Sequence, residues 1–508
     1  MRSRSLWFAL FLPLAAAAHA AADPANTETA PPPPVAWTDC GNGVQCARVT
    51  VPLDYDRPSG ASIEIAIARR PAVDAAHRLG SLFVHPGGPG GSGVAVVKGA
   101  PMSLFEAFPR FDVVGFDQRG LNESSPAVAD CGDDPGNVYR LPILRPPGVD
   151  RRDFAAATNA YVRNCRAVNA TLLPHLGTAN VARDLDRLRA AVGDTRLNYL
   201  GISYGTVIGA TYATLFPGRA RAIVLDSPLD VQVYYDDPLR IIRERAQGHE
   251  DLLGLFLAAC AREAAACGFG EGRPRAALEG LLERLDAVPI PSSDPADPRL
   301  LSGDAVRIAL TQTVGTRGAW RLLADGLRDA AAGDGSGLLA FTPYGPAGAD
   351  DDFNTAVLSV DQRFPRWPDA LYFAVAQWSW RTFPHFWFAT GYADFVRGHW
   401  LVSDDDAFRG RIRNPANAAP ILVVASTHDA STPYFQALNL MADLGNARLL
   451  TFEGEEHGAV GGLDACLVAH AARYFDDGTL PPRGSRCVQQ VEAFPQARTA
   501  QRWQLKAR

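Results

Sequence analysis

From Ala47 onward, segments with strand character alternate with segments of helical spacing. Ala47–Tyr55 and Ser62–Arg70 are joined by the short turn Pro58-Ser59-Gly60, which predicts an antiparallel hairpin. Ser81–His85, Phe111–Asp117, Leu197–Gly201, Ala222–Asp226, Ile421–Ser426 and Arg448–Phe452 also read as strands. The later ones are short unbroken apolar runs, as strands covered on both faces require. Helical patterns lie between them, notably Ala179–Ala191, Thr206–Leu215, Pro433–Leu444 and Leu463–Tyr474. Alternating β and α predicts an α/β fold, a mostly parallel central sheet with helices on both faces.

The rhythm breaks between Ser227 and about Asn417. Helical patterns dominate there, with Pro- and Gly-rich interruptions at 289–298 and 333–349, so this stretch reads as a large, mainly helical cap inserted between two core strands. The expected organisation is a first part of the core at 37–228, a cap at 229–417, the rest of the core at 418–490 and a tail at 491–508. Phe364 to Trp400 is crowded with aromatic residues, which suit either the cap core or an apolar wall over a substrate cleft.

The amino terminus has a different character. Arg2 and Arg4 precede the short apolar run Leu6–Ala18, and Ala18-His19-Ala20 and Ala20-Ala21-Ala22 are small-x-small cleavage sites. That is the pattern of a secretory signal peptide, assigned to 1–20, followed by a Pro-rich linker at 21–36. The apolar run is shorter than the ~20 residues a membrane span needs, and no later stretch is long and apolar enough. The mature protein is therefore expected in the periplasm or outside the cell. Eight cysteines suit an oxidising compartment, and none has a zinc-finger CxxC spacing. Pairing neighbours along the chain gives Cys40–Cys46, Cys131–Cys165, Cys260–Cys267 and Cys466–Cys487 as the simplest scheme. The 508 residues are 47% hydrophobic with a net charge of −6, which excludes a disordered chain and argues against a nucleic-acid partner.

The strongest chemical signal is Gly201-Ile202-Ser203-Tyr204-Gly205, set between an apolar strand and a helical pattern. That context makes it a nucleophile elbow, in which only small residues fit at the flanking positions held here by Gly201 and Gly205. A serine alcohol needs a base, and the base needs an orienting carboxylate. With the order Ser, then Asp or Glu, then His, the two loops past the later strands supply Asp429 as orienter and His457 as base. His428 breaks the order, His470 lies within a helical pattern, and His85 belongs to a glycine turn.

That turn, His85-Pro86-Gly87-Gly88-Pro89-Gly90-Gly91-Ser92-Gly93, follows a strand and could present the N–H of Gly88 to an oxyanion, with the N–H of Tyr204 as second donor. The same run reads as GxGxxG, so a dinucleotide site is a rival. Pro89 offers that scheme no N–H, and the serine elbow has no role in it. There is no GK[ST], hence no P-loop, and neither a metal nor an organic cofactor is expected. Asp117 and Arg119, in Gly115-Phe116-Asp117-Gln118-Arg119-Gly120, are expected to pair with each other and brace the nearby loops.

Together these motifs resemble the α/β-hydrolase peptidases of the prolyl iminopeptidase and secreted tripeptidyl aminopeptidase group. The similarity lies in the glycine turn, Asp117-Gln118-Arg119-Gly120, the serine elbow, Asp429-Ala430-Ser431-Thr432-Pro433, and the end of the chain with Glu456-His457-Gly458, Cys466, Gly478-Thr479-Leu480-Pro481 and Cys487. It spans roughly 37–490 and is thin across the cap. Gln377 stands where many members carry a cysteine. The resemblance implies an α/β-hydrolase fold and an exopeptidase that reads a free amino terminus, with peptide substrates and tripeptides as products. Holding an ammonium group would fall to cap carboxylates, with Glu244, Glu250, Asp251, Asp361 and Asp404-Asp405-Asp406 as candidates. A carboxylesterase using the same three residues is the alternative.

Overall fold

The computed structural model describes residues 32–137, 141–342, 349–389 and 392–495. The expected signal peptide, most of the linker and the last residues of the tail lie outside the described residues. Ten strands form one sheet: β1 (Thr38–Asp39), β2 (Gln45–Pro52), β3 (Ser62–Arg70), β4 (Gly80–His85), β5 (Phe111–Phe116), β6 (Leu197–Ile202), β7 (Ala220–Asp226), β8 (Ile421–Ser426), β9 (Ala447–Glu453) and β10 (Arg486–Val488). Their order is β1-β2-β3-β5-β4-β6-β7-β8-β9-β10. β1, β2, β3 and β5 pair antiparallel, and every pair from β5–β4 to β9–β10 is parallel. The carboxyl ends of β4, β6, β7, β8 and β9 therefore open on one edge.

The apolar runs become strands buried on both faces, since every residue of β4, β5 and β8 is buried. Two hydrophobic layers flank the sheet. One includes Phe83, Val114, Leu185, Val207, Ile223 and Val423, and the other Leu82, Val113, Leu200, Val224, Leu422 and Phe475.

Boundaries shift where the local chemistry differs from the periodicity. β2 stops at Pro52, the last residue of its ladder with β3, and not at Tyr55. The last long helix is Ala465–Asp477 and not Leu463–Tyr474. Leu463 has φ +66°, and the Asp464 carboxylate accepts from the Cys466 and Leu467 N–H groups, which fixes the start of the helix. β1 and β10 lie outside the predicted set and hold two and three residues. Both sit beside disulfides. The eight cysteines form Cys40–Cys46, Cys131–Cys165, Cys260–Cys267 and Cys466–Cys487. No cysteine is left for a partner at Gln377.

Between β7 and β8 the chain is helical, from Val231–Asp236 through the long Pro238–Arg262 to Tyr392–Gly398. This insertion has its own apolar centre around Phe256, Leu281, Ile308 and Trp320. Phe353, Val357 and Trp400 join the layer over the sheet. Most aromatics of 364–400 pack internally. Tyr372, Phe373, Tyr392 and Phe395 cluster with Phe154, while Trp378 is exposed.

Asp117 and Arg119 do not pair with each other. Arg119 is fully buried and meets Asp184 on the helix Thr178–Ala191, donating to Oδ1 at 2.7 Å and Oδ2 at 2.8 Å. Its remaining donors reach the Pro52, Leu53 and His175 carbonyls. Asp117 instead accepts from the Ser92 hydroxyl and the Val94 and Glu123 N–H groups, tying the end of β5 to the helix after the glycine turn. Both still brace loops, through partners distant in sequence.

Candidate active site

Ser203 sits between β6 and the helix Tyr204–Leu215 with φ +55° and ψ −123°, a conformation seldom adopted by non-glycine residues. Its N–H donates to the Asp226 carbonyl at 3.0 Å, which fixes the elbow against β7. The glycine turn packs on the other side. A Cβ on Gly87 would lie 2.7 Å from the Ile202 carbonyl oxygen and 2.8 Å from Ser203 Cβ, so no side chain fits there. Tyr204 is the first residue of its helix, where N–H groups have no intrahelical acceptor. Gly88 and Tyr204 line the same cavity as Ser203. The GxGxxG run is thus folded onto the serine elbow.

Asp429 lies in the loop after β8. Its Oδ1 accepts from the Ser431 and Thr432 N–H groups at 2.8 and 2.9 Å, and its Oδ2 from the Thr432 hydroxyl at 2.8 Å. His457, in the loop after β9, places Nδ1 3.0 and 2.8 Å from the two oxygens. The Asp429 side chain is fully buried, while 27% of the His457 side chain stays exposed toward the cavity. Burial alone would lower the imidazole pKa, but the adjacent carboxylate overrides it and raises the pKa above the ordinary value. The imidazole and its surrounding donors likewise hold Asp429 below the ordinary carboxylate range despite burial.

The His457 loop is anchored from two sides. The Gly458 N–H donates to Ser227 Oγ at 2.8 Å, and the Val460 and Gly461 N–H groups donate to Asp226 Oδ2 at 2.9 and 3.1 Å. Burial pushes the Asp226 carboxyl up to about 7. From the insertion, Thr316 bridges to Glu456, and Arg317 pairs with Glu455 at 2.7 Å. Of the other histidines, His85 is buried against the turn, accepts from the Gly87 N–H, and is held neutral by burial at about 3. His428 is exposed.

Ser203 and His457 face a cavity of about 610 Å³. Leu229, Ile241, Ile242, Leu358 and Phe388 give it apolar walls. Its ionic wall residues, besides His457, are Asp134, Asp351, Arg245 and Arg397. Asp134 accepts from the Gly136 N–H and the Thr355 hydroxyl, and burial lifts its carboxyl to about 6. Asn354 of the insertion donates to the Pro89 carbonyl at 2.8 Å and so touches the glycine turn.

None of the carboxylates expected to meet an ammonium group lines this cavity. Glu244 is engaged by Arg240 and Gln436, Glu250 by His385, and Asp251 by Gln247. Asp361 is buried against Thr178 and Tyr234. Asp404 and Asp406 hold Gly177 and Asn180, and Asp405 is exposed. Asp134 lies in a loop whose sequence shows no periodicity, and Asp351 in an acidic run that reads as a solvated face. Asp226 could have been found, because it ends a predicted strand on the edge where sites form.

A serine elbow on the carboxyl edge of a mostly parallel sheet, with an acid–histidine pair in the neighbouring loops, is the architecture of a serine hydrolase. Comparison with known proteins agrees. The chain belongs to the α/β-hydrolase family: the alpha/beta hydrolase fold matches residues 80–326, and a TAP-like protein segment matches residues 398–487. Serine protease Hip1 of Mycobacterium tuberculosis is 33% identical over 495 residues, covering 89% of this chain and 91% of that protein. A tripeptidyl aminopeptidase of Streptomyces lividans is 30% identical, covering 90% of this chain and 87% of that protein. A carboxylesterase B of Mycobacterium tuberculosis is 32% identical, covering 94% and 95%.

Proposed function

We propose that this chain is an exported serine exopeptidase that cleaves peptides near a free amino terminus and releases tripeptides. Ser203 attacks the scissile carbonyl, and His457 takes its proton and passes it to the leaving amine. Asp429 orients the imidazole and stabilises its charged form. The Gly88 and Tyr204 N–H groups hold the tetrahedral oxyanion, and water then releases the acyl group. Asp134 and Asp351 receive the substrate ammonium, replacing the carboxylates expected from the sequence. The carrying observation is that one cavity joins Ser203 and His457 to two carboxylates. The peptidase relatives support the substrate class. Four disulfides support export, and no helix among the described residues is long and apolar enough to cross a membrane.

A carboxylesterase on the same three residues is the second reading, favoured by the carboxylesterase relative and the apolar cavity walls. The test is fluorophore release from one-, two- and three-residue coumarin amides, with free and acetylated amino termini. Cleavage of free but not acetylated tripeptides is expected. Indifference to acetylation, or turnover of aryl esters alone, would refute the exopeptidase reading.

A further inference from the structure

Two guanidinium groups stand in the cavity wall with no carboxylate of their own. Arg245 lies on the helix Pro238–Arg262 and Arg397 on the helix Tyr392–Gly398, and both line the cavity with Ser203 and His457. The Nε atom of each is buried with no hydrogen-bond partner. An orphan Nε is not by itself distinctive, since Arg307 Nε has none either, but Arg119, Arg145, Arg299 and Arg307 each take a carboxylate at 2.9 Å or closer. Among the described residues, neither Arg245 nor Arg397 has a carboxylate within ion-pair distance. Arg397 feels the fields of Asp394 and Asp134, but it also faces the positive charge of Arg245. Arg245 in turn opposes the charging of His457 and His249. Phe364 lies under Arg397 at 5.8 Å, leaving the guanidinium edge for another acceptor.

Shielding guanidinium donors from water without an acceptor is costly, and a planar carboxylate restores their bonds in a forked geometry. We infer that Arg245 and Arg397 form an anion-reading subsite, so the preferred substrates carry a carboxylate side chain, Asp or Glu, within the segment the cavity receives. The cavity would then read both signs of charge, the ammonium at Asp134 and Asp351 and the acidic side chain at the two arginines. This rests on the reading that the cavity is the substrate site.

The test compares kcat/KM for tripeptidyl coumarin amides that differ only by Glu or Gln at each of the three positions. At one position Glu should exceed Gln by about tenfold or more, in keeping with charge-assisted pairing. The ratio should approach one in Arg245→Gln and recover partly in Arg245→Lys. Arg397→Gln should lower it as well. Because Arg397 sits among buried acids, Arg245→Gln decides the outcome if that variant does not fold. A fluorophosphonate probe reports which variants keep a competent serine. A ratio near one at all three positions in probe-reactive enzyme, or a preference that survives in Arg245→Gln, would overturn the proposal. Comparing free and amidated carboxyl termini in short peptides separates side-chain reading from recognition of the terminal carboxylate; a preference confined to the latter also overturns it. If no amide is cleaved, the exopeptidase reading fails by itself. The subsite is then read on aryl monoglutarate against its terminal amide, where a preference that Arg245→Gln abolishes sustains it and equal turnover refutes it.

Discussion

Asp429→Asn changes few atoms, yet the local geometry dictates a large effect. Oδ1 accepts from two backbone N–H groups, Ser431 and Thr432, which cannot reverse their roles. Oδ2 faces the Thr432 hydroxyl and His457 Nδ1, both able to donate or accept. An asparagine will therefore keep its oxygen at the Oδ1 site and turn its NH₂ toward the imidazole. Nδ1 must then accept, which puts the ring proton on Nε2, the nitrogen that the proposed mechanism uses as base. A loss of about 10⁴ in kcat is expected from the wrong tautomer, or about 5.5 kcal/mol at ~1.36 kcal/mol per decade. The pH profile should move too. His457 is raised above the ordinary imidazole value by the Asp429 charge, and burial acts in the opposite direction. Since the proposed base must be neutral, wild-type activity should rise with pH through that elevated pKa. Without the carboxylate, burial dominates and the acid limb shifts to lower pH. The assay is kcat and kcat/KM against pH on the best coumarin amide, with fluorophosphonate labelling rate as a second readout. A loss below tenfold, or an acid limb that stays in place, would refute this account of the pair.

Ser203→Ala should abolish turnover and probe labelling while circular dichroism and all four disulfides are retained. Gly87→Ala places a methyl against Ile202 and Ser203 in a backbone with φ +104°, and should lower kcat by about 10²-fold or more through displacement of the serine, measured on the same amide. Arg119→Met strands the buried Asp184 carboxylate and should cost about 3–5 kcal/mol in denaturant unfolding, of which Arg119→Met with Asp184→Leu should return only part, because the Pro52, Leu53 and His175 carbonyls and the Tyr55 hydroxyl lose partners. Removing the Cys131–Cys165 bond, which spans 34 residues, should cost about 4 kcal/mol on the chain-entropy account, read as a lower denaturation midpoint at pH 7.

What the sequence reveals here follows how local each feature is. The central strands are apolar on both faces, so unbroken hydrophobic runs mark them. The elbow announces itself because strand, glycines and helix lie within one short stretch. Asp429 and His457 each occupy the loop after a legible strand, and the structure brings their side chains within 2.8 Å. The partner of Arg119 is missed because Asp184 is 65 residues away on a helix, while Asp117 is nearby and of the right charge. The ionic walls of the cavity are missed for a similar reason. Asp134, Arg245, Asp351 and Arg397 come from four separate segments, and only the folding of the insertion over the sheet makes them neighbours. Glu250 and Asp361 look equally suitable in sequence but are occupied by His385 and by Thr178 and Tyr234.

The loop that carries His457 is stitched to β7 through Asp226 and Ser227, and to the helical insertion through Thr316 and Arg317. The glycine turn beside Ser203 is touched by the insertion as well, through Asn354. The roof of the chamber is therefore not an interchangeable cassette. A chimera that grafts a foreign roof between β7 and β8 to change substrate range would also release the grips on the His457 loop and on the glycine turn. Diversification of this protein, natural or engineered, has an easier route through the cavity-facing side chains than through wholesale exchange, provided Thr316, Arg317 and Asn354 travel with any replacement.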